Sequence, residues 1–291
     1  MSPSDFITQA PHDLAGWVAA FDPLEIPVLA STVDALTALR RSEDAVEALA
    51  ELRLNEGAVD AFMLADIMVT DPLMTLKLLR HVAALSRRHD ASDIETATEA
   101  LVMLGITPFF RAFATQATVE DTLTGQDQAL AGLRRVLARA DRAARFAFGF
   151  AVHRLDPDTA LLHQAALLHD LAEMLLWVHA PALALALAQR QQAEPGLRSG
   201  IAQRELLHVE LGTLRQALMR RWHLPTVLVQ ISDDHASPLA QVRNVQLAVR
   251  LARHSAQGWG DKALLADVDE VAALLNMGIA PTLALLHDLV D

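Results

Sequence analysis

The chain has 291 residues and a net charge of −12; 52% of it is hydrophobic but only 4% aromatic, and Tyr and Cys are absent. Ala and Leu, both strong helix formers, therefore carry the apolar content, which excludes a β-sandwich or barrel built on Val, Ile, Thr and aromatic side chains. The lack of Cys excludes disulfides, thiolate nucleophiles and zinc–thiolate sites, the acidic balance excludes broad nucleic-acid or anionic-membrane binding, and a mean hydropathy of +0.24 excludes disorder. The cations are 22 Arg against Lys77 and Lys262, a codon-bias signature, and the 12 His are a heavy usage whose placement needs explaining.

Residues 1–25, with Pro3, Pro11 and Pro23, read as a loosely attached arm. Met1 to Asp13 has no basic n-region, unlike a secretory signal. From Ile26 onward the signals are helical. Ser31 and Asp34 fit an N-cap and its third-position acid ahead of Leu36. Thr70-Asp71-Pro72 is a helix start, with Pro at the first helical position where its missing N–H costs nothing. Ser92-Asp93-Ile94-Glu95 has capping-box form and opens a helix that stops at Gly105. A boundary falls near Thr118 to Gln128. Beyond it, Glu194-Pro195-Gly196 and Ser232 to Pro238 are turns. The Leu183, Leu185, Leu187 alternation mimics a strand, but the intervening Ala residues favour helix. Phe109, Phe110 and Phe113 read as core plus one exposed contact, and Trp222 as a helix-end packing anchor. The longest uncharged stretch, Met174 to Ala188, is 15 residues and is interrupted by His179 and Pro181; a spanning helix needs ~20. The expected fold is all-α, in a cytoplasmic setting.

Polar neighbours His169 and Asp170 sit in the expected helix Leu161 to Val178, otherwise rich in Leu and Ala. Adjacent helical positions point ~100° apart, close enough to converge on one divalent ion. The alternative is a buried pair that satisfies its own hydrogen bonds. A second feature is the helix of about 131–152, where Arg135, Arg139 and Arg142 share a face with Arg145 flanking and Val136, Ala140, Ala143, Ala147 and Phe150 lie opposite. Such a cluster suits an acidic partner or phosphorylated ligand, or pairs with the chain's own carboxylates.

Leu167-Leu168-His169-Asp170-Leu171-Ala172-Glu173 resembles the His-Asp signature of the HD superfamily of metal-dependent phosphohydrolases. The flanking segments resemble one branch, the HDOD domain (HD-related output domain) of bacterial signalling proteins. They are Ile26-Pro27-Val28-Leu29, Thr70-Asp71-Pro72 through Leu79, Glu99 to Gly105, His208-Val209-Glu210-Leu211-Gly212, Trp222-His223-Leu224-Pro225, and Asp233-Asp234-His235 through Pro238. The ordered match implies a fold of two helical lobes: an N-terminal arm at 1–25, an HDOD domain at 26–240 (helical lobe 26–118, HD-like lobe 128–240) and C-terminal helices at 241–291 packing on the HD-like lobe.

The departures bear on function. An active relative would need a His one helix before the pair, where Arg139 to Arg142 offers only Asp141, and a downstream Asp, where Val249 stands. His169, Asp170, His208, His235 and Asp234 remain as remnants of the site. The resemblance then implies a non-catalytic pseudo-enzyme without catalytic residues, metal or cofactor. It would be a stand-alone adaptor that contacts signalling proteins and neither nucleic acid nor membrane. The alternative is an atypical phosphohydrolase or phosphodiesterase holding Fe, Mn, Zn or Ni on His169, Asp170, His208 and His235. Arg135, Arg139, Arg142 and Arg145 are the candidate anion or partner contacts.

Overall fold

A computed structural model describes residues 6–50, 61–86, 94–194, 196–236, 239–256 and 258–290, with the side chains at 42–50, 61 and 62 outside the described set. The fold is all-α: among the described residues no strand forms, only an isolated parallel bridge between Val28 and Thr118. Helices α1 (Leu14–Phe21), α2 (Ala30–Ala50), α3 (Ala61–Met68), α4 (Pro72–Ser86), α5 (Ala97–Leu104), α6 (Ile106–Ala112) and α7 (Val119–Thr122) precede the long α8 (Asp127–His153). Then follow α9 (Thr159–Leu167), α10 (Leu171–His179), α11 (Pro181–Ala193), α12 (Ser199–Leu207), α13 (Leu211–Arg221), α14 (Thr226–Ile231), α15 (Ala240–His254), α16 (Ala263–Leu275) and α17 (Ile279–Asp288).

Two packing centres organise these helices. Helices α3, α4 and α5 pack on one another, and α8 is the axis around which α9, α10, α11 and α15 assemble. The expected apolar face of α8 (Val136, Ala140, Ala143, Ala147 and Phe150) is buried. Gly132 lies on the same helix, where an added Cβ would fall 2.4 Å from the ring of buried Trp177. That absence of a side chain lets α10 approach closely. Helix α16 packs on α15, and α17 on α16.

Several helix starts differ from their sequence expectation. Asp71 is the N-cap of α4, as expected, and is fully buried. One carboxylate oxygen accepts from the Leu73 and Met74 amides at 2.9 and 3.1 Å; the other accepts from the Leu29 amide at 3.0 Å and the Thr32 hydroxyl at 2.8 Å. Burial raises the Asp71 pKa, against the pull of these donors. Helix α2 therefore needs no cap from Ser31, which lies inside the helix: the Leu29 amide goes to Asp71, and the Ala30 amide goes to Glu120 at 3.1 Å. The capping box of α5 is Thr96 with Glu99, four residues later than the expected Ser92 to Glu95; Ser92 and Asp93 lie outside the described residues. Helix α5 ends as expected at Gly105, whose φ of 81° favours glycine. Pro195, Ser237 and Pro238, of the expected turns, also lie outside the described residues. The stretch Pro181–Ala193 is helical despite its Leu alternation. Phe109, Phe110 and Phe113 are all buried, so no aromatic ring of that segment is exposed; Arg111 and Ala112 are its exposed members.

The described part of the arm, residues 6–25, is seated on the body rather than loosely attached. Trp17 is wholly buried and donates from its indole nitrogen to the Leu207 carbonyl at 2.7 Å. Asp22 accepts from Arg221 and from the indole of Trp222, and Arg80 lies 4.9 Å above the Trp222 ring. Trp222 is thus the packing anchor expected at the end of α13.

No single helix among the described residues is long and apolar enough to cross a membrane; the most apolar stretch bends by 118° between His179 and Pro181. His179 sits buried at that bend. Burial pushes its imidazole down to about 4, against a weaker pull from the Glu25 backbone. A folded-state pKa below the free value of about 6.5 means that stability present at neutral pH is lost as pH falls from about 6.5 towards 4. A drop of about 3 kcal/mol across that window is expected from this group. Urea unfolding of wild type and His179→Leu at pH 7 and pH 4 checks it: the variant should lose most of this pH dependence.

Candidate functional site

The His-Asp pair does not lie within a continuous helix. Helix α9 ends at Leu167, Leu168 to Asp170 form a turn, and α10 begins at Leu171. The amides of His169 and Leu171 bond three residues back, to Ala166 and Leu168, so the helical ladder is interrupted there. Both side chains are 7% exposed and are held by groups arriving from three other helices.

Arg139 of α8 reaches Asp170 with Nε at 2.8 Å and Glu173 with Nη2 at 2.7 Å. Arg253 of α15 donates to the other Asp170 oxygen at 2.7 Å. Arg215 of α13, 2% exposed, donates to the His169 and Ser232 carbonyls at 2.9 and 2.6 Å and to Asp234 at 2.8 Å. Its Nη1 also lies 2.9 Å from His169 Nε2. The imidazole spans the centre, with Nδ1 3.3 Å from Asp170 and Nε2 3.0 Å from Asp234. A ring protonated on Nδ1 donates to Asp170 and accepts from Arg215; protonation on Nε2 directs the donor to Asp234 instead.

Three guanidinium groups thus face three carboxylates, Asp170, Glu173 and Asp234, around one imidazole. Burial alone would raise the Asp170 carboxyl, but Arg253, Arg139 and His169 hold it well below the usual carboxylate range. Asp234 is likewise depressed, its desolvation outweighed by His169 and Arg215. Arg139 loses to burial but gains more from Asp170 and Glu173, and its pKa is raised. Both depressed carboxylates contribute stability present above the unfolded carboxylate pKa and lost as acid protonates them.

The donor set does not fit a divalent metal. Both Asp170 oxygens and His169 Nε2 lie within 2.7–3.0 Å of fixed cationic nitrogens, so an added dication would meet positive charge at each ligand atom. Among the described residues no group of three or more His, Asp or Glu side chains is arranged to hold a metal ion.

Of the residues singled out in the sequence, His169, Asp170 and Asp234 meet. Neither His208 nor His235 contacts the pair among the described residues. His208 is the left-handed C-cap of α12; its Nδ1 lies 3.0 Å from the Pro11 carbonyl and its ring stacks on His12. His235 is exposed in the turn after α14, its amide donating to Asp233. The Arg row of α8 is divided. Arg139 enters the site, and Arg142 donates to the Ser255 carbonyl at the end of α15. Arg145 pairs with Asp141 at 3.0 Å, so Asp141 supplies nothing to the pair, and Arg135 is exposed. Sequence reasoning missed Arg215, Arg253 and Glu173. Arg215 carried a signal, since it falls on the Leu211, Leu214, Leu218 face of α13, where a cation must be paired. Arg253 stands one turn after Val249.

An HDOD domain family profile matches residues 42–238, and the chain belongs to the HDOD domain family. Among solved structures it is similar to the MmoQ response regulator of Methylococcus capsulatus str. Bath, with 19% identity, a TM-score of 0.65, and coverage of 92% of this chain and 98% of that one. It is also similar to a virulence factor of Campylobacter jejuni subsp. jejuni, with 18% identity, a TM-score of 0.60, and coverage of 95% and 93%. At these identities the likeness is one of fold. No functionally curated protein matches the chain.

Proposed function

We propose that this chain is a non-catalytic regulatory or adaptor protein of bacterial signal transduction, working in the cytoplasm through contacts with signalling proteins. The observation that carries this reading is the replacement of a metal's place beside His169 and Asp170 by Arg139, Arg215 and Arg253. A hydrolase of this kind needs a metal to activate water and clamp phosphate. Here the same carboxylate and imidazole serve as anchors between helices α8, α10, α13 and α15. Apolar side chains at the end of α8 support a contact role. Phe148 and Val152, 46% and 50% exposed, stand one turn apart on α8, and Leu155 is exposed in the left-handed turn just beyond it, an apolar surface of the kind that receives a partner.

Protein purified without chelator should carry below about 0.1 equivalent of Fe, Mn, Zn or Ni, and EDTA should leave its melting temperature unchanged. Incubation with metal and a chromogenic phosphodiester should give no turnover above the His169→Ala background. Metal-dependent hydrolysis abolished by His169→Ala would overturn the reading in favour of an atypical phosphohydrolase.

A further inference from the structure

A cavity whose lining does not include His169 lies between α4 and α5 on one side and α8 and α9 on the other. Its volume is about 190 Å³, somewhat larger than the roughly 150 Å³ apolar cavity that accommodates benzene. No charged side chain lines it. Val69, Leu167, Phe148 and Ala160 contribute apolar surface, with Phe148 and Ala160 exposed at the protein surface. Three of its five polar lining residues are already committed. Thr75 donates to the Met68 carbonyl, Thr96 caps α5, and Gln164 accepts from the Ala97 amide at 2.7 Å while donating to the Glu95 carbonyl at 3.0 Å. His163 and Thr98 remain. The His163 ring lies edge-on to Phe148 at 6.3 Å, and among the described residues its nitrogens have no hydrogen-bond partner. Burial depresses its pKa, against the pull of Asp141, so the imidazole is neutral at neutral pH and able both to donate and to accept.

We infer that this cavity is a binding site for a small uncharged aromatic molecule of one ring with one hydrogen-bonding substituent, seated against Phe148 and bonded to His163. An apolar pocket of this size with only two uncommitted polar groups, His163 and the Thr98 hydroxyl, selects for such a shape, and burying a charge in it without a partner is costly. The Gln164 clamp that ties the start of α5 to α9 borders the same cavity, so an occupant would brace the junction of the two helix groups. Phe148 also begins the exposed apolar row on α8, which places the cavity's mouth beside that surface. The inference does not depend on whether the His169 site is inert.

Phenol is the probe and benzoate the charged control, titrated into the full chain by calorimetry and by amide–nitrogen correlation spectra. The expected result is saturable one-to-one phenol binding, with shifts concentrated around Phe148, Ala160, His163 and Leu167, and no saturable benzoate binding. Ala160 is exposed, so Ala160→Trp should fold normally yet plug the opening and weaken phenol by about ten-fold or more. His163→Phe, which keeps the ring and removes the hydrogen bond, should weaken phenol while leaving toluene unaffected. Non-saturating phenol shifts scattered over the wild-type surface would overturn the inference, as would undiminished affinity in a folded Ala160→Trp variant.

Discussion

Replacing Arg215 by Ala should lower the unfolding free energy by about 3–5 kcal/mol, the range measured when one member of a buried ionic network is removed. The side chain is 2% exposed and its Nη atoms serve the His169 carbonyl, the Ser232 carbonyl and Asp234 at once. Its loss strands two buried carbonyls and leaves Asp234 facing His169 without the cation between them. Arg215→Lys should recover little, because one ammonium cannot reproduce a planar fork that reaches two separate backbone segments. Urea denaturation of both variants at pH 7 measures the effect. A loss below about 1 kcal/mol for Arg215→Ala would show that water replaces the guanidinium at little cost.

Trp17→Ala should have a comparable effect, about 3–5 kcal/mol, as for other wholly buried aromatic residues truncated to Ala. Here two contributions combine: the lost packing of a ring that also meets Phe21 at 5.3 Å, and the orphaned Leu207 carbonyl at the end of α12. Trp17→Phe separates them, since it restores most of the packing and none of the hydrogen bond. The expected order of stability is wild type, then Trp17→Phe, then Trp17→Ala. If Trp17→Ala melted with the wild type, α1 would be an ornament on the fold and not part of it.

The sequence makes the all-α class legible because helix signals are local: caps, Pro at first positions, and apolar spacing on α4 and α8 all act within a few residues of themselves. It misleads where a cap comes from far away. Ser31 fits the local pattern, yet Asp71 and Glu120 take the α2 amides, and no local rule reports a carboxylate 42 residues distant. The break at Leu168–Asp170 has the same origin. Composition there favours an unbroken helix, and the side chains that hold the turn come from α8, α13 and α15. For the candidate site, two ligand positions lacking His or Asp were visible in the sequence. What fills their place was not, because Arg139 reads as part of a surface row until α10 is packed against it. His208 and His235 illustrate the complementary difficulty: motif order locates them along the chain, whereas the turn geometry after α12 and α14 decides where they point.

The single Asp71 carboxylate that starts both α2 and α4 has a consequence for how this part of the molecule opens. The Leu29, Leu73 and Met74 amides share one acceptor group, so releasing either helix start leaves a buried charge with half its donors. These three amides should therefore exchange with deuterium as one unit, at a common rate, although the helices they begin lie more than forty residues apart in the chain.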